Sequence, residues 1–180
     1  GLLERPADSD AVAASVADSG GVHFVPALLG VGTPHFDYGA RGTLLGLTRG
    51  TTRAHVVRAV LEGVAHRGAD LLDAARADTG LSPASLRVDG GMSRNDTFVQ
   101  ALADATGLPV EAAAMPEATT LGAAYLAGTA AGVWPDLESA IATRRTRRTA
   151  HPLHAVDRAR WHEAVRRARG WLPELSALDF

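Results

Sequence analysis

Apolar residues recur at one-helix-face intervals through the middle of the chain. Val56, Val60, Val64, Leu71 and Ala75 follow this spacing, with Val57, Leu61 and Leu72 beside them. Arg53, Arg58, Glu62, Arg67 and Asp70 take the positions expected to be more exposed. Thr51 or Thr52 is placed to cap the start of this helix, and Gly80 lies just past its end. Upstream, residues 8–17 predict a shorter helix with Ala and Val on one face, broken by Gly20 and Gly21. Residues 22–25 are β-branched and aromatic and predict a strand that stops at Pro26. A loop rich in Gly and Pro spans residues 29–42, and residues 43–47 predict a second extended segment.

The second half alternates between short apolar runs and helical periods. Leu86, Arg87 and Val88 predict a short strand that runs into Asp89, Gly90 and Gly91. A helix is expected from about Asn95 to Thr106, burying Phe98, Val99 and Leu102 and stopped by Gly107. Residues 109–112 predict another strand. Residues 115–117 form a turn, and Thr119 or Thr120 then opens a helix of small residues through Ala130. Strand–helix–strand–helix order predicts an α/β layer. Residues 144–148 read as a basic, non-periodic linker. Residues 155–172 predict a terminal helix that turns Val156, Trp161, Val165 and Ala168 inward. No internal repeat or low-complexity tract is legible.

Composition narrows the chemistry. The 180 residues suffice for one domain with a sizeable core, and a formal net charge of −2 gives no reason to expect nucleic acid or a membrane surface as a partner. No apolar run approaches the roughly 20 residues of a membrane helix, and no signal peptide is legible in a chain that starts at Gly1. The chain has no cysteine, which removes disulfides, thiol nucleophiles and Cys-rich metal sites. A cysteine-free chain is expected in the cytoplasm. It also has no lysine, since all 18 basic residues are Arg. A Walker A loop and a Schiff base are therefore both impossible here.

The strongest chemical signal is the segment from Arg87 to Asn95. A strand ends, two glycines turn, and a helix begins. Glycine lets the backbone adopt unusual angles and approach a flat ligand. The following helix N-terminus is expected to offer free N–H groups and partial positive charge, and ligands of open α/β sheets sit beyond the carboxyl ends of strands. The same residues also suit a plain tight turn. Other constellations are weaker. His151 and His154 lack further metal ligands. Gly30 and Gly32 lack the third glycine of a dinucleotide loop. Asp37 and Glu62 read as structural carboxylates, so no catalytic residue and no metal ligand is assigned.

Three spaced motifs carry a family resemblance. Val88, Asp89, Gly90 and Gly91 followed by Asn95 resemble the adenosine motif of the sugar kinase/actin/Hsp70 superfamily. Residues 42–47 followed by residues 55–62 resemble the second signature of the FGGY carbohydrate kinase family. Residues 117–128 resemble that family's small-residue helix. The resemblance covers about residues 8–171. It implies an α/β fold, part of a C-terminal actin-like, ribonuclease H-like ATPase domain with a mixed sheet flanked by helices. Residues 1–143 would form that domain, incomplete at its N-terminal side, and residues 144–180 a linker and a helix packed on it.

The resemblance also implies ATP or ADP with Mg²⁺, a polyol or sugar substrate, and transfer of a phosphoryl group to an alcohol. Gly91 and Asn95 would contact the nucleotide, and Gly90 would shape the turn. Asn95 is open to two roles, hydrogen bonding to adenine or ribose, or capping the helix. Asp89 either orients the turn or faces the phosphates through water and Mg²⁺. Gly122, Ala123 and Ala124 would let two helices cross closely near a hinge, or simply pack in the core. The proton-accepting Asp, the first phosphate hairpin and the polyol contacts would lie upstream of Gly1. The chain alone would then be inactive and would expose apolar surface that favours self-association. Residues 24–27, 40–42, 46–50 and 86–91 resemble the glycerol-phosphorylating branch, whereas Thr33, Pro34 and His35 resemble the xylulose-phosphorylating one.

Overall fold

The computed structural model describes residues 1–177. A 3-10 turn, Pro6–Asp8, leads into α1, Ser9–Ala14. Strands β1, His23–Val25, and β2, Thr43–Leu45, pair antiparallel. The long helix α2, Arg53–Thr79, follows. Thr52 caps it: its hydroxyl accepts from the His55 N–H at 3.5 Å while its own N–H donates to His55 Nδ1 at 3.1 Å. Gly80 ends it in the left-handed conformation at φ 69°.

Next come β3, Leu86–Val88; α3, Asp96–Thr106; β4, Val110–Ala113; and α4, Ala118–Ala130. Then follow α5, Leu137–Ala142; β5, Thr146–Ala150; α6, Ala159–Ala168; and a short α7, Pro173–Ser176. Strand β3 pairs parallel with β4, and β4 pairs antiparallel with β5. The mixed sheet and the flanking helices match the expected α/β architecture.

Alternation along the sheet decides its faces. Leu86, Val88, Val110 and Ala112 turn toward Val57, Leu61, Phe98, Val99 and Leu102 of α2 and α3, forming the main core. Arg87 and Glu111, directly opposite each other, turn to the other side and pair at 3.5 Å. A second core gathers Val25, Ala27, Val31 and Ala40 against Trp161, Ala164, Val165 and Ala168 of α6.

The structure departs from the sequence reading in four places. Residues 144–148 are not a free linker, because most of them enter β5. An edge strand tolerates arginines when acids lie within reach, and here Arg144 meets Glu111 at 3.0 Å while Arg147 and Arg148 meet Asp96 at 2.7 and 2.8 Å. Asp70 is buried rather than exposed, and Leu71 is 51% exposed. The face of α2 that receives α6 needs an acceptor for the Trp161 indole, and Asp70 supplies it. The terminal helix begins only at Ala159, which leaves Val156 outside. Helix α5 lies in a stretch for which no element was expected. Residues 178–180, the end of the predicted 144–180 segment, lie outside the described residues.

Candidate functional site

The turn after β3 is built from backbone tied on three sides. Gly90 takes φ 81° and ψ −175°, a conformation essentially reserved for glycine. Its N–H donates to Pro116 O at 2.9 Å, and Asp89 accepts from the Ala118 N–H at 3.3 Å. These two bonds lock the loops that leave the carboxyl ends of β3 and β4 to each other. Residues Gly91–Arg94 form one 3-10 turn, in which Ser93 bonds back to Gly90 O through both its N–H, at 3.2 Å, and its hydroxyl, at 2.8 Å. Arg147 of β5 reaches Ser93 O at 2.8 Å.

Asn95 caps α3. Its Oδ1 accepts from the Phe98 N–H at 2.8 Å, and its Nδ2 donates to the Ser9 hydroxyl at 3.1 Å. Both ends of the amide therefore have protein partners, and the side chain is buried. The other free N–H groups at the start of α3 are taken as well. Asp10 Oδ2 accepts from the Asp96 N–H at 3.2 Å, and Oδ1 accepts from the Thr97 N–H and hydroxyl at 2.9 and 2.7 Å. The helix N-terminus expected to be free for an anion is filled by a carboxylate of α1, which sequence distance concealed.

Three of the four candidate residues divide between two cavities. Gly91 and Asn95 line a mainly apolar cavity of about 740 Å³, walled by Leu3, Pro6, Val60, Val64 and Met92 and bordered also by Ser9, Asp10 and Arg94. A Cβ on Gly91 would meet nothing within 4 Å, so this side of the turn is open. Asp89 lines a second cavity of about 450 Å³ on the other side of the turn, beside Ala118, Leu121, Tyr125 and Trp134. Gly90 lies between the two and borders neither. Sequence reasoning did not single out the apolar wall of the first cavity. Its signal was available in Val60 and Val64, whose spacing with Val56 marks one face of α2.

Charge near the turn is settled by ion pairs. Burial pushes the Asp96 carboxyl up, but the guanidiniums of Arg147 and Arg148 outweigh it and hold the group below the usual carboxylate range. Asp37 follows the same logic elsewhere. Burial raises it, and bonds from the Ser176 hydroxyl and the Gly170, Gly39 and Ala40 N–H groups bring it below its ordinary value. Those bonds tie the residue 30–42 loop to the C-terminal segment. Glu62 pairs with Arg58 at 2.8 Å. Among the described residues, no group of three or more His, Cys, Asp or Glu is arranged to hold a metal ion, and no helix is long and apolar enough to cross a membrane.

A mixed sheet with α2 and α3 packed against one face and a glycine turn at the end of a parallel strand fits the actin-like ATPase fold. The comparisons make this specific. Residues 2–131 match the FGGY family of carbohydrate kinases, C-terminal domain. The chain belongs to that family. It is 48% identical over 176 residues to a glycerol kinase of Bordetella parapertussis, covering 95% of this chain and 35% of that relative. A glycerol kinase of Dechloromonas aromatica is 49% identical over the same length.

Among solved structures, Plasmodium falciparum glycerol kinase with ADP superposes with a TM-score of 0.81 at 32% identity, over 93% of this chain and 34% of that one. A ligand-bound xylulose kinase from Lactobacillus acidophilus superposes with a TM-score of 0.70 at 28% identity, over 98% and 36%. The chain thus spans about a third of the length of the relatives it matches.

Proposed function

We propose that this chain forms the nucleotide-binding side of an ATP-dependent polyol kinase of the cytoplasm that converts glycerol and ATP to glycerol 3-phosphate and ADP. The observation that carries this reading is the open apolar cavity at Gly91, set in a fold that superposes on a glycerol kinase with ADP. The cavity suits a flat base. Leu3, Pro6, Val60, Val64 and Met92 supply apolar walls, and Gly91 offers backbone without a side chain in the way. Asn95 acts here chiefly by holding the turn, because its amide is already bonded at both ends. Asp89 likewise holds the turn, through Ala118.

In the reaction, the substrate hydroxyl attacks the γ-phosphorus, the bond to the β–γ bridging oxygen breaks, and a carboxylate takes the hydroxyl proton. That carboxylate and the substrate contacts belong, in this proposal, to the part of such enzymes that this chain does not cover. Mg²⁺ supplies charge neutralisation on the phosphates. Among the described residues none are clustered to hold it, and in this proposal it arrives with the nucleotide.

Titration calorimetry of the chain with Mg–ADP tests the reading. Binding should be weak but measurable, and Gly91→Val should abolish it without shifting the unfolding midpoint. No heat at any concentration, with folded protein, would sink the nucleotide site. A pentose kinase is the second reading, favoured by Pro34 and His35 and by the xylulose kinase superposition. Coupled ADP-release assays of the complete enzyme with glycerol and with xylulose decide between the two, and the chain alone should turn over neither.

A further inference from the structure

Helix α3 has 11 residues, and a helix of that length normally presents a partially positive N-terminus. Here that end faces the same turn as the proposed nucleotide cavity, and it is closed. Three donors, the Asp96 N–H, the Thr97 N–H and the Thr97 hydroxyl, converge on the single carboxylate of Asp10 at 2.7 to 3.2 Å. The next N–H, that of Phe98, goes to Asn95. Asp10 stands on α1, 86 residues away in sequence from Asp96, and its neighbour Ser9 accepts from the same Asn95. This arrangement copies the way a phosphate would sit on a helix N-terminus, with a carboxylate in its place.

We infer that Asp10 is a specificity-determining and positioning residue: an internal anion that keeps phosphate groups off α3 and leaves the cavity at Gly91 to the uncharged end of the ligand. The inference rests on the nucleotide reading and adds a direction to it. Two consequences follow from the geometry. A phosphate brought to α3 would have to displace a carboxylate that already satisfies three donors and would meet the negative charge of Asp10, while Asp96 beside it is already balanced by Arg147 and Arg148. The bonds from Asp10 and Ser9 also pin α1 to α3, and the cavity walls Leu3 and Pro6 lie just before them in the chain. The same clamp therefore sets the width of the cavity.

The test uses Asp10→Ala, together with Asp10→Asn, which keeps the oxygen for Thr97 and loses the charge. Each chain is titrated with Mg–ADP, adenosine and inorganic phosphate, and its melting is compared in phosphate and chloride buffers of equal ionic strength. The expected result is about tenfold weaker ADP and adenosine binding in Asp10→Ala, the loss being on the order of one charge-assisted bond. Phosphate should stabilise Asp10→Ala and leave the natural chain unaffected. That gain is a readout that a purely structural role would not produce. Asp10→Asn should fall between the two.

If Asp10→Ala does not fold, Asp10→Asn carries the same comparison. Unchanged nucleotide affinity in a folded variant, with no gain from phosphate, overturns the inference while leaving the nucleotide site standing. A natural chain that binds no ADP, paired with a variant that gains phosphate, sinks the nucleotide site and keeps the exclusion of anions by Asp10.

Discussion

Asp70 and Asp89 are both aspartates beside short apolar runs, and the structure treats them in opposite ways. Asp70 is the hub where α2 meets α6. The Trp161 indole N–H donates to both its oxygens at 3.1 Å, Arg67 pairs with it at 2.8 Å, and Arg158 closes on it from the other side. His66 stacks on Trp161, with ring centres 5.0 Å apart. Asp89, exposed at the end of β3, holds one long bond to Ala118 and faces an open cavity. The comparison separates two uses of polar groups. Around Asp70, charge is desolvated and paired, which joins the C-terminal segment to the body. Around Asp89, backbone is tied to backbone, and one side of the turn is left free for a ligand.

That contrast can be broken by experiment. The largest effect is expected at the hub. Asp70→Ala leaves the Trp161 N–H buried without an acceptor and Arg158 with only Asp73 and the His66 carbonyl as partners, and should cost about 3 kcal/mol in denaturant unfolding. ADP affinity, measured under folding conditions, should not change. A loss below about 1 kcal/mol would mean that the hub does not join the two segments, since this is the range of an exposed pair.

Next comes pH. Burial, followed by the nearby Arg158 charge, pushes the His66 imidazole down from 6.5 to about 4. Above pH 6.5 neither state holds the extra proton. Between 6.5 and 4 the unfolded chain binds it and the folded chain does not, so stability falls as pH falls through this window. The loss by the bottom of the window should be on the order of 3 kcal/mol. His66→Phe keeps a ring on Trp161 and removes an Nδ1 that has no hydrogen-bond partner. Its stability curve should be flatter over that window, and a curve as steep as that of the natural chain would reassign the slope to other groups.

At the turn the stability effects shrink. Asn95→Ala removes the cap of α3 and the tie to Ser9, for about 1 kcal/mol. Hydrogen exchange should show the Phe98 amide released while the α6 amides keep their protection. Smallest of all is Gly91→Val. Its Cβ points into open space, so folding should change by less than about 0.5 kcal/mol. The same change fills the mouth of the proposed nucleotide cavity. Loss of ADP binding without loss of stability is the opposite of the outcome expected at Asp70, and the pair together tests the division between the two regions.

Most of the local structure was legible because its causes are local. The apolar spacing of α2, the strand Leu86–Val88, the stop at Gly107 and the glycines of the turn all depend on neighbours within one or two helical turns. The family signatures are likewise contiguous, so the kinase fold was readable from residues 42–62, 88–95 and 117–128. The tertiary structure alone decided what those residues face. Asp70 reads as a surface acid until α6 is packed against it, because burial is set by a partner 88 residues away. Residues 144–148 read as a solvated linker because the acids that neutralise them, Glu111 and Asp96, belong to β4 and α3. The N-terminus of α3 reads as free until Asp10 arrives from α1. In each case a long-range charge or hydrogen bond supplies what periodicity cannot encode.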